Sequence, residues 1–246
     1  MINMKLSIVL PCYNEGKKIK KSIETIMTHL NNLDLKSYEI IIVNDGSKDN
    51  SINYIIDIKE QYPDIIKLVH YKDNKGKGYA VKKGLLASTG EYVIFMDTDL
   101  STDLSAIDTC LQVIEKDKTP IIIGSRRLPE SELAIPQTGI RKITGIGCKI
   151  YTNMKLKLKL QDTQCGFKCF EGNIAKKLVK KQTINRWAFD AELLYIARLN
   201  NIDIKEIPVK WENDEDSKVS PFKASLKFII DLGKIKRNKE KYIFDT

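Results

Sequence analysis

Short apolar runs alternate with segments of helical spacing along the first 125 residues. Such runs predict buried strands, and apolar residues that recur every three or four positions predict helices. We expect strands at residues 5–11, 38–44, 65–71, 91–97 and 120–125. We expect helices at 17–30, from the turn at 45–49 to about 61, after 78, and from about 103 to 116. Strands rich in Ile and Val that alternate with helices predict a mostly parallel sheet with helices on both faces, an α/β fold.

The regular alternation ends after residue 126. Residues 140–154 have helical spacing, whereas residues 155–160 alternate with period two, so strand and helix interpretations conflict there. The later pattern predicts a strand within 162–170, a helix over 185–199, a strand over 204–211 and an amphipathic helix over 221–237. Pro208 favours an edge position for the strand that contains it. With 246 residues, the chain is most simply one domain.

Composition narrows the class of protein. The chain is 42% hydrophobic and 30% charged, as expected of a folded protein. No apolar run approaches the roughly 20 residues that span a bilayer, and the N-terminal apolar stretch is too short for a signal peptide. We therefore expect a cytoplasmic chain with reduced thiols. Five cysteines without a CxxC pair and two histidines make a zinc site or a Ser–His–Asp apparatus unexpected.

The net charge of +9 is concentrated in two segments. Residues 141–160 contain six cations and no acid, and residues 221–241 contain seven cations and two acids. Both segments are amphipathic, which favours peripheral docking on an anionic membrane. Nucleic acid is the rival partner, but we expect none because no recognition-helix pattern is visible and aromatic residues are not interleaved with the cations. The other alternative is that the apolar residues pack into the core beneath solvated lysines. Four positions decide between these interpretations: Ile143, Ile146, Ile150 and Leu226.

Two carboxylates, Asp97 and Asp99, follow the apolar run of residues 92–96. Alternate side chains of a strand project to the same side, so we expect both carboxylates to point one way at its carboxyl end. Two hard oxygen donors there suit Mg²⁺ or Mn²⁺ holding a diphosphate, although two solvated acids are the alternative. Ligands of such sheets lie at the carboxyl ends of the strands. Further residues of this sequence are expected at those ends: Tyr13, Asn14, Glu15, Asp45 and Gly46.

Several short motifs occur in an order that resembles one enzyme family. They are PCYNE at 11–15, VNDGS at 43–47, NKGKG at 74–78, DTD at 97–99, DTQCGFK at 162–168 and RWAFDAELL at 186–194. The sequence is similar to the inverting family 2 glycosyltransferases of the GT-A fold. The last two motifs, with the stretch from Trp211 to Val219, are similar to the polyprenyl-phosphate glycosyltransferases, dolichyl-phosphate β-glucosyltransferase among them. Eukaryotic members of that group carry an N-terminal membrane anchor, which we do not expect here.

The resemblance covers about residues 5–220 and implies a division of the single domain. We expect a nucleotide-sugar-binding half (1–125), an acceptor half (126–220) and a basic amphipathic C-terminal helix (221–246).

The resemblance also implies roles for individual residues. The implied donor site consists of Pro11, Tyr13, Asn14, Glu15, Asp45, Gly46, Lys77, Asp97, Thr98 and Asp99. Asp97 and Asp99 are implied to hold the metal, and Asp45 to bind the base or ribose. The residues alone leave Asp45 open as a turn former and Lys77 as a solvated loop lysine. The implied catalytic residues are Asp99, Arg126, Arg141 and Asp190. The two arginines are expected to cradle an acceptor phosphate, because a guanidinium pairs bidentately with phosphate.

The expected activity is transfer of a hexose, glucose from UDP-glucose, to a dolichyl or undecaprenyl phosphate at the cytoplasmic face of the membrane. A phosphate acceptor is largely dianionic at neutral pH and needs no strong base, whereas a hydroxyl acceptor makes Asp190 the base. The alternatives are a GDP-mannose-dependent polyprenyl-phosphate mannose synthase and a transferase that builds surface polysaccharide. A non-enzymatic alternative is a nucleotide-sugar-binding module that recruits partners to membranes.

Overall fold

The computed structural model describes the backbone of residues 2–33, 35–133, 139–212 and 221–244. Side chains are not described at 2–4, 36, 139–144 and 221–225. The elements in chain order are β1 (Ile2–Cys12), α1 (Lys18–Asn31), β2 (Leu35–Asp45), α2 (Ser51–Gln61), β3 (Ile66–Tyr71), α3 (Lys77–Ala87), β4 (Tyr92–Met96), α4 (Ser105–Asp117), β5 (Ile121–Ser125), β6 (Glu132–Leu133), α5 (Gly139–Leu156), β7 (Phe167–Glu171), α6 (Gly172–Lys181), α7 (Phe189–Leu199), β8 (Ile204–Pro208), β9 (Lys210–Trp211), α8 (Pro221–Arg237) and a 3₁₀ helix (Lys239–Tyr242).

Seven strands form one sheet in the order β3-β2-β1-β4-β7-β5-β8. Within the described part of this sheet, β7 alone runs antiparallel to its neighbours, β4 and β5, and the remaining pairs are parallel. β8 lies at an edge of the sheet, which confirms the position expected from Pro208. β6 and β9 form a separate two-stranded sheet. The sequence-based expectation of a mostly parallel α/β sheet is therefore confirmed.

Helices cover both faces of the sheet because the central strands are apolar on both sides. Along β1, Ile8 joins the core that α1, α2 and α4 share, whereas Val9 joins the core beneath α3, α6 and α7. α5 and α8 pack against this second core through residues such as Leu156 and Leu232. The two cores hold the carboxyl ends of β1, β2 and β4 together at one edge of the sheet.

The second half of the chain differs from its pattern in five places. Residues 155–160 form neither one strand nor one helix. α5 ends at Leu156, and after it Lys157 and Lys159 adopt positive φ angles of 55° and 59°. The helix expected from residue 185 begins at Phe189, and the strand expected over 204–211 ends at Pro208, where β9 takes over. α6 and β6 were not expected. The period-two burial of the leucines at 156–160 arises from this irregular backbone, which explains why the strand interpretation was misleading.

Candidate active site

The two carboxylates at the end of β4 lie in a turn rather than along the strand. β4 ends at Met96, and the amide of Leu100 donates to the Asp97 carbonyl oxygen at 3.3 Å. Leu100 has a φ of 55°, and Thr98 is buried between the two acids. Strand alternation therefore does not align Asp97 and Asp99, contrary to the expectation, because both residues follow the end of β4. The two side chains are nevertheless neighbours: after desolvation, the charge of Asp97 is the next cause that raises the pKa of Asp99.

Lys77, the first residue of α3, places an ammonium group among these acids. Its Nζ forms an ion pair with the Asp97 carboxylate. Burial lowers the pKa of Lys77, but Asp97 and Asp190 outweigh that effect and hold this pKa above its ordinary value. The Nζ also lies 5.9 Å from the centre of the exposed Trp187 ring. Lys77 is therefore the common neighbour of the β4 carboxylates and of the first turn of α7.

The antiparallel strand β7 supplies the opposite wall of this site. Its register continues past Met96, where the Asp97 amide donates to the Gly166 carbonyl oxygen at 3.2 Å. A Cβ atom at Gly166 would lie 2.1 Å from Asp97 Oδ2. Any side chain at position 166 would displace the Asp97 carboxylate. This explains why the DTQCGFK motif has a glycine at this position.

Asp190 is anchored from the same strand by a buried lysine. Lys168 is fully buried, and its Nζ donates to Asp190 Oδ1 at 2.7 Å and to the Cys165 carbonyl oxygen at 2.6 Å. Burial raises the pKa of Asp190, although Lys168 and Lys77 act in the opposite direction. Asp190 also lies in the first turn of α7, where the helix dipole favours a carboxylate. The ion pair with Lys168 fixes the position of this carboxylate within electrostatic reach of Lys77.

Asp45 holds the loop that presents Lys77. It is buried, and its carboxylate accepts hydrogen bonds from the Lys75 amide and the Gly76 amide, both at 2.8 Å, and from Asn74 Nδ2 at 2.9 Å. Gly46 follows with a φ of 68°, packed against the backbone of residues 72–74. In this structure the Asp45 carboxylate thus has the turn-forming role that the residues alone left open, and its contact with a base or ribose remains a prediction.

The motif after β1 is tied to the end of β2. Asn14, with a φ of 57°, donates its amide to Ser47 Oγ at 3.0 Å and accepts a hydrogen bond from the Lys48 amide at 2.8 Å. Tyr13 is exposed at the same edge. Pro11 pairs in register with Val43 inside the sheet, and Glu15 lies half-buried in the turn that leads to α1. Ligand contacts of these residues remain predictions.

Of the two arginines expected to cradle an acceptor phosphate, Arg126 is described in full. Its Nε and Nη2 donate to the two Asp162 carboxylate oxygens at 2.7 and 3.0 Å, and its guanidinium lies 5.3 Å from the centre of the Trp211 ring. Burial lowers the pKa of Arg126, but Asp162 and, more weakly, Asp97 raise it, so Arg126 lies within electrostatic reach of the β4 turn. Arg141 falls in α5 at a position whose side chain lies outside the described residues.

The donor set fits a divalent ion held jointly with a ligand. In the described ranges, no group of three or more His, Cys, Asp or Glu residues is placed to hold a metal alone. Mg²⁺ and Mn²⁺ are usually bound through one or two carboxylates, with the remaining positions filled by phosphate oxygens and water. Asp97 and Asp99 match that pattern, and the pairing of Asp97 with Lys77 shows that this position attracts a cation.

Several residues of the site had no role assigned from sequence: Asp162, Gly166, Lys168, Trp187 and Trp211. One signal was present. Lys168 shares its strand face with Phe170 in an apolar strand, and a lysine on an apolar face needs a carboxylate partner if that face is covered. The arrangement as a whole offers carboxylates for a cation, a lysine for an anionic group and a fixed acid beside them. It suits the transfer of a group away from a diphosphate.

Comparisons with known proteins agree with this chemistry. The family model described as Glycosyl transferase family 2 matches residues 7–179. The dolichyl-phosphate beta-glucosyltransferase of Dictyostelium discoideum is 37% identical over 243 residues, which cover 95% of this chain and 74% of that protein.

Two solved structures of glucosyl-3-phosphoglycerate synthase from Mycobacterium tuberculosis share the architecture. The complex with UDP matches with a TM-score of 0.67 at 16% identity, covering 99% of this chain and 82% of that one. The complex with Mn²⁺, UDP and glucosyl-3-phosphoglycerate matches with a TM-score of 0.65 at 14% identity and the same coverage. At these identities the likeness establishes the fold, which confirms the predicted GT-A class.

Proposed function

This chain belongs to glycosyl transferase family 2, and from that premise we propose that it transfers glucose from UDP-glucose to a polyprenyl phosphate. The prediction of a glycosyltransferase is confirmed by the family. The name of the Dictyostelium relative supports glucose as the sugar and a lipid phosphate as the acceptor. The UDP bound to the structural neighbours supports a uridine nucleotide. The observation that carries the proposal is the convergence of Lys77, Asp97, Asp99 and Asp190 at the carboxyl edge of the sheet.

The donor half of the proposed reaction assigns a task to each of these groups. Asp97 and Asp99 would hold a divalent ion, which when bound would supply positive charge for the departing diphosphate. Lys77 exchanges Asp97 for a diphosphate oxygen, which accepts the same kind of charge-assisted contact that the carboxylate accepts in this structure. Gly166 keeps the Asp97 carboxylate at the edge of the cleft.

The acceptor half of the reaction needs orientation more than a base. A lipid phosphate has a second pKa near ~6 and is largely dianionic at neutral pH. Asp190 is fixed by Lys168, so we assign it to orienting the sugar and Lys77 rather than to accepting a proton. Arg126 commits Nε and Nη2 to Asp162, and its Nη1 is the atom we assign to the acceptor phosphate. Inversion follows if the phosphate oxygen attacks opposite the departing diphosphate.

We further propose that α5 and α8 dock the enzyme on an anionic membrane. Their outward-facing apolar residues are not packed into the core: the exposed fractions are 54% for Ile150, 71% for Met154, 56% for Leu226 and 52% for Ile230. The alternative of core packing is thereby contradicted for Ile150 and Leu226, and also for Ile146, which is 38% exposed. The side chain of Ile143 lies outside the described residues. Each cation near an anionic leaflet contributes about 1 kcal/mol.

The described helices contain none long and apolar enough to cross a bilayer. Peripheral docking from the cytoplasmic side belongs to the same proposal on the strength of the two cationic helices. The assignment of residues 1–125 to the donor and 126–220 to the acceptor belongs to it as well.

A transfer assay with purified protein tests the proposal. The protein is incubated with Mg²⁺ or Mn²⁺, undecaprenyl or dolichyl phosphate in vesicles, and labelled UDP-glucose, UDP-GlcNAc or GDP-mannose in separate reactions. The proposal requires labelled lipid with UDP-glucose and its loss in Asp99→Asn, with Asp103→Asn as the matched control outside the cluster. Labelled lipid from GDP-mannose alone supports the mannose synthase alternative. Label in a glycan with none in the lipid contradicts the acceptor assignment.

A further inference from the structure

A cationic cavity lies on the far side of the loop that presents Lys77. It has a volume of about 500 Å³ and opens between α8 and the loops around residues 75 and 183–186. Five cations and a single acid line it, and we call it the cationic cavity: Lys75, Arg186, Lys227, Lys234 and Arg237, with Asp231. A cavity of this size accommodates a small ligand.

The cationic cavity is separate from the donor site. Lys75 and Lys77 flank Gly76 but have different neighbours: Lys77 pairs with Asp97, whereas Lys75 Nζ lies 4.9 Å from the centre of the Tyr79 ring and lines the cavity. The backbones of Gly76 and Asn185 close the space between them, because a Cβ atom at Gly76 would lie 2.6 Å from the Asn185 carbonyl oxygen.

Among the described residues, most of the positive charge in the cavity has no carboxylate counterion. Asp231 pairs with Lys234 at 2.7 Å. Within the described ranges, no carboxylate lies within 4.0 Å of the charged groups of Lys75, Arg186, Lys227 or Arg237. Lys234 and Arg237 are three residues apart on α8, a spacing at which like charges destabilise a helix. A bound anion would offset this repulsion.

The floor of the cavity is preorganised by a buried acid. Glu192 Oε1 accepts hydrogen bonds from the Thr183 amide at 2.8 Å and the Thr183 hydroxyl at 2.6 Å, and Oε2 accepts one from the Ile184 amide at 2.8 Å. The main chain that carries Asn185 and Arg186 is thus fixed from behind. Arg186 therefore lines the cavity from a fixed backbone position, so less conformational freedom is lost when it binds a phosphate.

We propose that the cationic cavity binds a phosphate monoester, at a site distinct from that of the donor diphosphate. A phosphate monoester carries about two negative charges at neutral pH, and the arginine forks of residues 186 and 237 match its oxygens. The group comes either free in solution or on a lipid headgroup. Leu226 and Ile230, which are exposed on α8 next to the lining residues Lys227 and Asp231, are suited to contact the chains of such a lipid.

Phosphate binding is measured by calorimetry with inorganic phosphate as the probe, in EDTA and without nucleotide. The cavity variant is Lys227→Glu/Arg237→Glu, two exposed positions on α8. The control is Lys239→Glu/Lys241→Glu, which changes the net charge equally at exposed positions outside the cavity. We expect saturable binding that weakens by about tenfold or more in the cavity variant and by less than about twofold in the control.

Binding to lipid vesicles distinguishes a free phosphate monoester from one carried on a lipid headgroup. Phosphatidic acid presents a phosphate monoester, whereas phosphatidylglycerol at equal vesicle charge presents a diester. Stronger binding to phosphatidic acid that inorganic phosphate competes away, and that the cavity variant loses, identifies a lipid headgroup. Phosphate binding without this preference identifies the free anion.

Absence of saturable phosphate binding, or equal losses in the two charge-reversal variants, overturns the proposal. The measurement involves no metal, nucleotide sugar or turnover, so its failure is independent of the proposed transferase activity.

Discussion

The cations of the donor site and those of the cationic cavity differ in one respect. Three cations around the donor site meet carboxylates: Lys77 meets Asp97, Lys168 meets Asp190, and Arg126 meets Asp162. Around the cavity, four cations have no carboxylate partner among the described residues. The two regions lie on opposite sides of one loop, residues 74–78.

This difference distinguishes cations that form structural ion pairs from cations that are available to bind a ligand. A buried charge without a partner is strongly unfavourable, so the pairs of Lys168 and Arg126 stabilise the folded state and hold Asp190 and Asp162 in place. Exposed cations at the cavity rim carry no such requirement, so their accumulation is better explained by binding. Substitutions at the two regions should accordingly affect different measurements.

The largest expected effect on stability is at Lys168. Lys168→Met leaves Asp190 buried without its partner, and we expect the free energy of unfolding to fall by about 3–5 kcal/mol. Urea unfolding followed by circular dichroism measures it. Lys205→Met, which removes a partner from the exposed Asp117, is the matched control and should change little.

A second variant tests whether the loss at Lys168 is due to the stranded charge. Lys168→Met/Asp190→Leu should recover much of the stability, because an apolar pair replaces a buried ion pair at small cost. If Lys168→Met is no more destabilising than Lys205→Met, the pair does not hold the site together.

Gly166→Ala tests the geometry of the donor site. The added methyl group must displace the Asp97 carboxylate, and we expect transfer to fall by about 100-fold, equivalent to about 2.7 kcal/mol. Gly233→Ala is the control, since a Cβ atom there meets nothing within 4 Å and should stabilise α8 slightly. Steady-state kinetics on both variants measures the difference. Full activity in Gly166→Ala contradicts the assigned position of Asp97.

Glu39 is a further buried and paired charge, and it should make the free energy of unfolding depend on pH in the acid range. Burial alone would raise the pKa of Glu39, but Lys67, Ser7 and Thr89 lower it to about 2. Because the pKa of Glu39 is lower in the folded state than in the unfolded chain, its carboxylate stabilises the fold fully at pH values above the unfolded pKa. That stability is lost as the pH falls through the folded pKa. We therefore expect a loss of about 2–3 kcal/mol between about pH 5 and pH 2. Glu39→Gln should be less stable at neutral pH and lose less on acidification in urea unfolding. Parallel curves for the two proteins contradict this.

The smallest expected effect is at the unpaired cations. Arg237→Gln relieves repulsion with Lys234, so its free energy of unfolding should change by less than about 0.5 kcal/mol, and upward. Urea unfolding at low salt, beside Lys239→Gln as the control for an exposed cation outside the cavity, measures it. A large destabilisation would mean that Arg237 is structural rather than free to bind.

The first half of the fold was predictable because its signals are local. Ile and Val runs such as residues 40–43 give buried strands wherever they occur, and residues such as Gly46 and Pro63 end them or the helices between. The strand-end location of Asp97 and Asp99 followed from the same runs. The turn that contains Asp99 was missed, because nothing local distinguishes a strand extended by two residues from one that stops at Met96.

The partners of the site could not be predicted, because they depend on long-range register. Lys168 meets Asp190, and Gly166 meets Asp97, only because β7 inserts antiparallel between β4 and β5. The cationic cavity has the same origin. Lys75, Arg186 and Lys227 lie in three distant segments, and each alone resembles a solvated lysine or arginine.

The most direct test of the central claim is the binding of UDP with and without Mn²⁺, measured by calorimetry on the wild type and on Asp97→Asn. If Asp97 and Asp99 hold the ion that takes the diphosphate, Mn²⁺ tightens UDP binding by about tenfold or more in the wild type and by less than about twofold in the variant. Equal tightening in both proteins, or none in the wild type, would contradict the account.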